Sequence, residues 1–328
     1  MRPEVPLTVR TISPFQFALL VTTAFLGLGL FQFPRGIVQV AGNETLYAFA
    51  LSGFGAIAGV WLIFRVAHVA PNQTVFAWAQ RALPWPVYGL FLALADGLHL
   101  GLPMVAMGEF AALVRTFFLP DTPPWAVSSL MVGMALWMLW WDLPQLVRTV
   151  QIVFLPVVAA TIAFSGLLIP HFQDGWALQW VPITRPGALV QGALIGFQSF
   201  LGYEVIALLW PYVPPTERPR AERWAYLALL GAFSLYTLQL VLTFGTEDPY
   251  FLLTLDWPAL SALRLISVPG IVINKLGLLV VVLWGLLTMF FVSIRCWAIC
   301  HATLPALARQ GGRTYRLIAS AVMTAIWL

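Results

Sequence analysis

Along this chain apolar residues come in long runs rather than alternating with polar ones, and the runs are of bilayer-crossing length. A spanning helix needs about 20 mostly apolar residues. On that rule nine segments stand out, near 13–34, 44–66, 87–118, 124–141, 149–170, 187–211, 223–245, 268–299 and 314–328. The first opens on Ser13-Pro14, an N-cap residue followed by proline at the first helical position. The third is too long for a straight crossing, and Pro103 is expected to kink it. The loops at 67–86 and 246–267 are rich in Pro and Trp and are expected to carry short interfacial helices. Two runs are interrupted. The first contains Gly27-Leu28-Gly29 with Pro34 behind it. The sixth reads GFQSFLGYEVIALLWPY over Gly196–Tyr212, with glycines at both ends of its break and one ionisable residue, Glu204. In hydrocarbon such interruptions are tolerated only where the freed backbone lines protein or a cavity, so a paired interruption points to a binding site.

Composition supports a membrane setting. The 328 residues are 60% hydrophobic and 9% charged, with mean hydropathy +0.87; soluble domains carry about 25% charged residues. The net charge of +4 reads as orientation bias rather than as nucleic-acid affinity. Of 17 basic residues only Lys275 is lysine. Cys296 and Cys300 lie one helical turn apart, a spacing poorly shaped for a disulfide and short of ligands for a metal, and read as packing. The opening MRPEVPLTVR leads into an apolar helix without a small-residue cleavage site, so no signal peptide is expected. There is no glycine-rich phosphate loop, Cys/His metal constellation or nucleophile elbow, so neither an enzyme nor a cofactor is expected.

With the N-terminus in the cytoplasm, twelve arginines fall inside (Arg2, Arg10, Arg65, Arg81, Arg148, Arg218, Arg220, Arg223, Arg295, Arg309, Arg313 and Arg316) and four outside (Arg35, Arg115, Arg185 and Arg264). The positive-inside rule favours that orientation. The two interrupted helices then run in opposite directions with five helices between their starts. That is the signature of a five-plus-five inverted repeat, an all-α polytopic membrane protein with broken helices 1 and 6. The chain reads as one transmembrane domain over 1–328, with a first repeat near 12–170 and a second near 186–328. About nine helices are present, and the tenth is expected either to lie beyond this sequence or to be naturally lacking.

The run Ile12–Phe17, then Leu26–Leu30 and Phe33-Pro34-Arg35, resembles the opening of the spore germination permeases, the germinant receptor B-subunits of the amino acid–polyamine–organocation superfamily. Ala41-Gly42-Asn43-Glu44 stands where that family turns into helix two. Phe200–Val205 followed by Trp210-Pro211-Tyr212 is similar to its helix-six signature, and Asp256-Trp257-Pro258 with Val268-Pro269-Gly270 and Trp284 to its approach to helix eight. Asn274-Lys275-Leu276-Gly277 departs from the family, in which an acidic–basic pair and an Asp are expected there. The resemblance implies a multi-pass protein of the spore inner membrane or bacterial cell membrane that senses a small germinant, typically an amino acid. It also implies assembly with an A-type membrane subunit and a C-type lipoprotein.

The expected ligand site lies between the breaks. Backbone at Gly27, Leu28, Gly29 and Leu30, and at Gly196, Phe197, Ser199, Gly202 and Tyr203, would hold polar ligand groups, with Glu204 beside it; the glycines serve equally well as close-packing points. A lone carboxylate in the membrane costs on the order of 2.5–3.5 kcal/mol on an insertion scale. Without a cationic partner Glu204 is expected in its neutral form, as ligand contact, proton site or backbone cap. Lys275 stands either in the place of a coupling cation or snorkelled to the interface. Asp96 and His99 share a face of helix three, as a proton relay or a mutually satisfied pair. Glu109 lies nearer the outer side and faces a vestibule. Gln191, Gln198 and Ser199 read first as interhelical hydrogen-bond partners. Three functions follow: a germinant-sensing permease-like subunit, a proton-coupled amino-acid transporter, or an ion or water channel.

Overall fold

The computed structural model describes residues 11–26, 29–173, 182–246, 248–264 and 276–303. Among these there are helices and connecting turns and no strand. Gly27, Leu28, Lys275 and the segment 314–328 lie outside the described residues.

The chain enters through α1 (Pro14–Thr23), where the expected cap is present. Ser13 accepts from the Gln16 N–H, and the Gln16 side chain accepts from the Ser13 N–H. α2 (Gly29–Ala41) continues beyond a break, carrying Pro34 inside it. A turn through Gly42, held at φ +55, leads by a single 3-10 turn into α3 (Thr45–Val69). Then come α4 (Val75–Ala82), α5 (Trp85–Phe117), α6 (Pro124–Met138) and α7 (Leu143–Gly166). The sixth apolar run divides into α8 (Pro186–Gln198) and a tighter half, Tyr203–Tyr212, that contains α9 (Ile206–Leu209). The chain continues with α10 (Arg218–Thr246), α11 (Pro249–Leu253), α12 (Pro258–Arg264) and α13 (Leu276–Thr303).

Five helical stretches are long and apolar enough to cross a bilayer: Phe33–Val69, Trp85–Phe117, Leu143–His171, Pro215–Thr246 and Val281–Ala298. The pair Pro186–Gln198 and Tyr203–Tyr212, bent by 51°, makes a sixth if taken as one span. α1 and α6, at 10 and 15 residues, are apolar but shorter. Phe33–Val69 is not a single rod. Along one helix Phe33 and Phe49 would lie about 24 Å apart, yet their ring centroids are 5.1 Å apart. Ile37 and Ser52 meet the same residue, Gly196. α2 and α3 are therefore an antiparallel hairpin folded at Gly42. The run expected to end near residue 34 thus extends through the first broken helix to Ala41. α5 is continuous across Pro103.

α8 lies along the α2–α3 hairpin, α1 against α10 and α7, and α13 against α5, α6 and α7. Small residues set the first of these contacts. A Cβ at Gly196 would press on Ile37, Ser52 and Phe49. The Ser52 hydroxyl donates to the Ala193 carbonyl of α8 at 2.7 Å. Large apolar side chains on the outer faces, such as Phe54 at 70% and Trp125 at 70% exposure, are placed where hydrocarbon rather than water would meet them.

The start of α8 is fixed by one carboxylate. Glu44 Oε1 accepts from the Thr184 N–H at 2.8 Å, the Thr184 hydroxyl at 3.0 Å and the Arg185 N–H at 3.0 Å. Arg185 in turn donates to the Ala41 carbonyl at 3.3 Å. Glu44→Ala removes all three hydrogen bonds from the exposed Thr184-Arg185 linker and is expected to loosen the start of α8. The expected result is faster limited proteolysis near residues 182–185 and a lower Tm; an unchanged cleavage pattern would show that the linker is held by other contacts.

Candidate functional site

The centre of the molecule is the place where two helices stop short. α1 ends with Ala24 bonding back to Leu20 and Leu26 to Thr22. α8 tightens into i to i−3 bonds over Ser199, Phe200 and Leu201. It then turns at Gly202, which sits at φ +145, a region open to glycine and closed to most other residues. The two breaks touch: a Cβ on Gly202 would fall on the Ala24 carbonyl and the Phe25 nitrogen.

A helix end leaves carbonyls without partners, and here side chains from two other helices supply them. From α13, Arg295 Nη2 donates to the Ala24 carbonyl at 3.1 Å and to the Leu201 carbonyl at 2.9 Å. From α10, the Tyr236 hydroxyl lies 3.4 Å from both the Phe25 and Ser199 carbonyls, one proton between two acceptors. Each break thus has one carbonyl on Arg295 and one on Tyr236, and both side chains are fully buried.

Glu204 completes the cluster. Its Oε2 accepts from the Gly202 N–H at 2.8 Å, capping the turn. Its Oε1 forms an ion pair with Arg295 Nη1. That nitrogen also lies 3.3 Å from His99 Nδ1 on α5. Since a guanidinium has only donors, the contact requires the His99 tautomer that carries its proton on Nε2. His99 Nδ1 is 3.9 Å from Glu204. The lone carboxylate expected from the sequence therefore has its cation. Arg295, assigned to a cytoplasmic helix end by the charge count, is instead an interior residue with a fully buried side chain. Without it, the charge count behind the expected orientation stands at eleven against four.

Beside the breaks lies a cavity of about 390 Å³. Phe25 and Phe33 of the first broken helix and Phe291 of α13 give it apolar walls. Arg35, Gln39, Glu109 and Gln198 bring both charge signs and two amides to its lining, and Ser199 and Leu201 bring it to the second break. Arg35 is also bound to Asp256 at 2.8 Å.

Of the residues expected at the ligand site, Ser199 lines this cavity, and Gly202 and Glu204 form the turn behind it. Gly29 and Leu30 open α2. Gly196 is a packing contact. Phe197 and Tyr203 face one another with ring centroids 6.3 Å apart, and the Tyr203 hydroxyl sits against Gly59 of α3. His99 reaches the cluster; Asp96 lies one turn earlier on α5 and is half-buried. Glu109 joins the cavity. Arg295 and Tyr236 have no local motif. The available signal for Arg295 was its position twenty residues into an apolar helix that offers it no acidic neighbour.

Known proteins give a consistent comparison. A family model described as "Spore germination protein" matches residues 11–325. Spore germination protein GerQB of Bacillus cereus is 22% identical over 90% of this chain and 80% of its own length. Spore germination protein YndE of Bacillus subtilis is 20% identical over 83% and 75%. Spore germination protein A2 of the same species is 24% identical over 86% and 76%.

Proposed function

This chain belongs to the Spore_permease family of spore germination proteins, and from that premise we propose that it is the ligand-sensing, permease-like subunit of a germinant receptor. In this reading it is a multi-pass membrane protein with a cytoplasmic N-terminus, and its helices follow the five-plus-five inverted repeat, the first over about 12–170 and the second from about 186. It works with an A-type membrane subunit and a C-type lipoprotein. A small amphoteric ligand, an amino acid by class, occupies the cavity beside the two breaks.

The observation that carries the reading is the lining of that cavity. It adjoins both interrupted helices and combines an apolar wall with a guanidinium, a carboxylate and two amides. Few convergent polar groups on an apolar cavity are the usual makings of a small-molecule site. Binding shifts a conformational equilibrium only through differential affinity for the two states. The broken helices that border the cavity are the elements whose rearrangement such a ligand would bias.

A thermal-shift screen of amino acids and nucleosides against the purified protein tests this. Ala106, a buried wall residue of α5 at 7% exposure, gives the control. Ala106→Leu intrudes on the cavity and is expected to weaken a stabilising ligand at least tenfold, about 1.4 kcal/mol, while leaving the unliganded Tm near wild type. Wild-type affinity in that variant would move the site elsewhere. In liposomes, binding without counterflow of labelled ligand supports a receptor. Counterflow supports a proton-coupled transporter, and a ligand-independent electrogenic leak supports a channel.

A further inference from the structure

The environment of Arg295 is that of a bound cation. Two half-helices, α1 and α8, point their C-terminal ends at it, and each such end carries roughly half a negative charge. The Ala24 and Leu201 carbonyls and the Glu204 carboxylate converge on one guanidinium, with His99 Nδ1 as a further acceptor. Four of its N–H groups are thereby directed at acceptors, two on each terminal nitrogen. Where transporters have paired helix breaks, unwound carbonyls and half-helix C-termini are the groups that coordinate a dissociable alkali ion. Here those groups face a charge tethered to α13.

We propose that Arg295 is a built-in monovalent cation, a positioning residue that holds the two breaks together in place of a bound sodium or potassium ion. The protein's stability, and any ligand site at these breaks, is then independent of the alkali cation present. This inference rests on the break geometry alone, and its test needs no germinant and no partner subunit.

The test is the Tm of purified protein in detergent at constant ionic strength, with sodium, potassium or choline chloride as the salt. Wild type is expected to give the same Tm in all three within about 1 °C. A clear preference for sodium or potassium over choline would overturn the proposal. Arg295→Ala removes the tethered charge and leaves two carbonyls and a carboxylate facing a small space. Its Tm in choline is expected to be lower, and to rise by roughly 2–4 °C when sodium, potassium or a low concentration of guanidinium replaces choline. Guanidinium at the same concentration should only lower the wild-type Tm. Arg295→Lys keeps a charge at the site and is expected to remain indifferent to the salt. A folded Arg295→Ala protein unmoved by all three cations would sink the idea. If that variant gives no folded protein, the wild-type and Arg295→Lys series decide between the same outcomes.

Discussion

Glu204→Gln is expected to destabilise the protein by about 3–5 kcal/mol, the cost of leaving one member of a buried ion pair uncompensated. The amide can still accept from the Gly202 N–H, so the loss isolates the charge. Arg295 is wholly buried and Glu204 18% exposed at the side chain, so water does little to screen the pair. Against a typical stability of about 5–15 kcal/mol, that is a large fraction, visible as a lower Tm and a lower yield from membranes. Glu204→Ala also strands the Gly202 N–H, adding about 1–3 kcal/mol, so the expected order of stability is wild type, Gln, Ala. Combining Glu204→Gln with Arg295→Met removes the stranded charge. The double variant should be less damaged than the sum of its parts, with a coupling of about 0.5–3 kcal/mol. A Gln variant with wild-type Tm but lost ligand binding would assign this carboxylate to the ligand rather than to the break.

How much of this was readable from the chain follows from how far each interaction reaches. The Ser13 cap, the sixth run's interruption at Gly202 and the apolar runs among the described residues are local, written in residues a few positions apart, and the structure shows them. The hairpin at Gly42 was half legible: the turn signal was present, but the helix before it was expected to end near Pro34. In fact α2 continues to Ala41, because its apolar face packs on α8. The partner of Glu204 lies 91 positions away. A rule that assigns arginines by their nearness to helix ends has no means of separating a snorkelling side chain from one turned inward. The better signal was thermodynamic. A membrane-embedded carboxylate demands a cation, and the apolar run 268–299 offers two, Lys275 and Arg295; the one that meets Glu204 is Arg295. The sequence places Glu204 beside the ligand and Glu109 at an outer vestibule, whereas in the structure Glu109 lines the cavity and Glu204 caps the backbone turn.

Gly202→Ala is expected to be as damaging as any single methyl group added to this chain. Two costs combine. A non-glycine residue at φ +145 is strained by on the order of 1–3 kcal/mol. The new Cβ also lands on the carbonyl and carbonyl carbon of Ala24 and on the Phe25 nitrogen, which are backbone atoms with no rotamer to move. To make room the breaks must separate, and that pulls the Ala24 and Leu201 carbonyls off the single Arg295 nitrogen that holds both. One methyl group therefore acts on the turn, on the contact between broken helices and on the buried ion pair together. Gly231→Ala is the matched control: it lies within α10, where nothing stands within 4 Å of an added Cβ, and it is expected to leave the Tm unchanged or slightly raised. The comparison is read as Tm and as the proportion of monodisperse protein after solubilisation. If Gly202→Ala matched Gly231→Ala in both, the two breaks would have to be free of one another, and the cluster around Arg295 would lose its role as their common support.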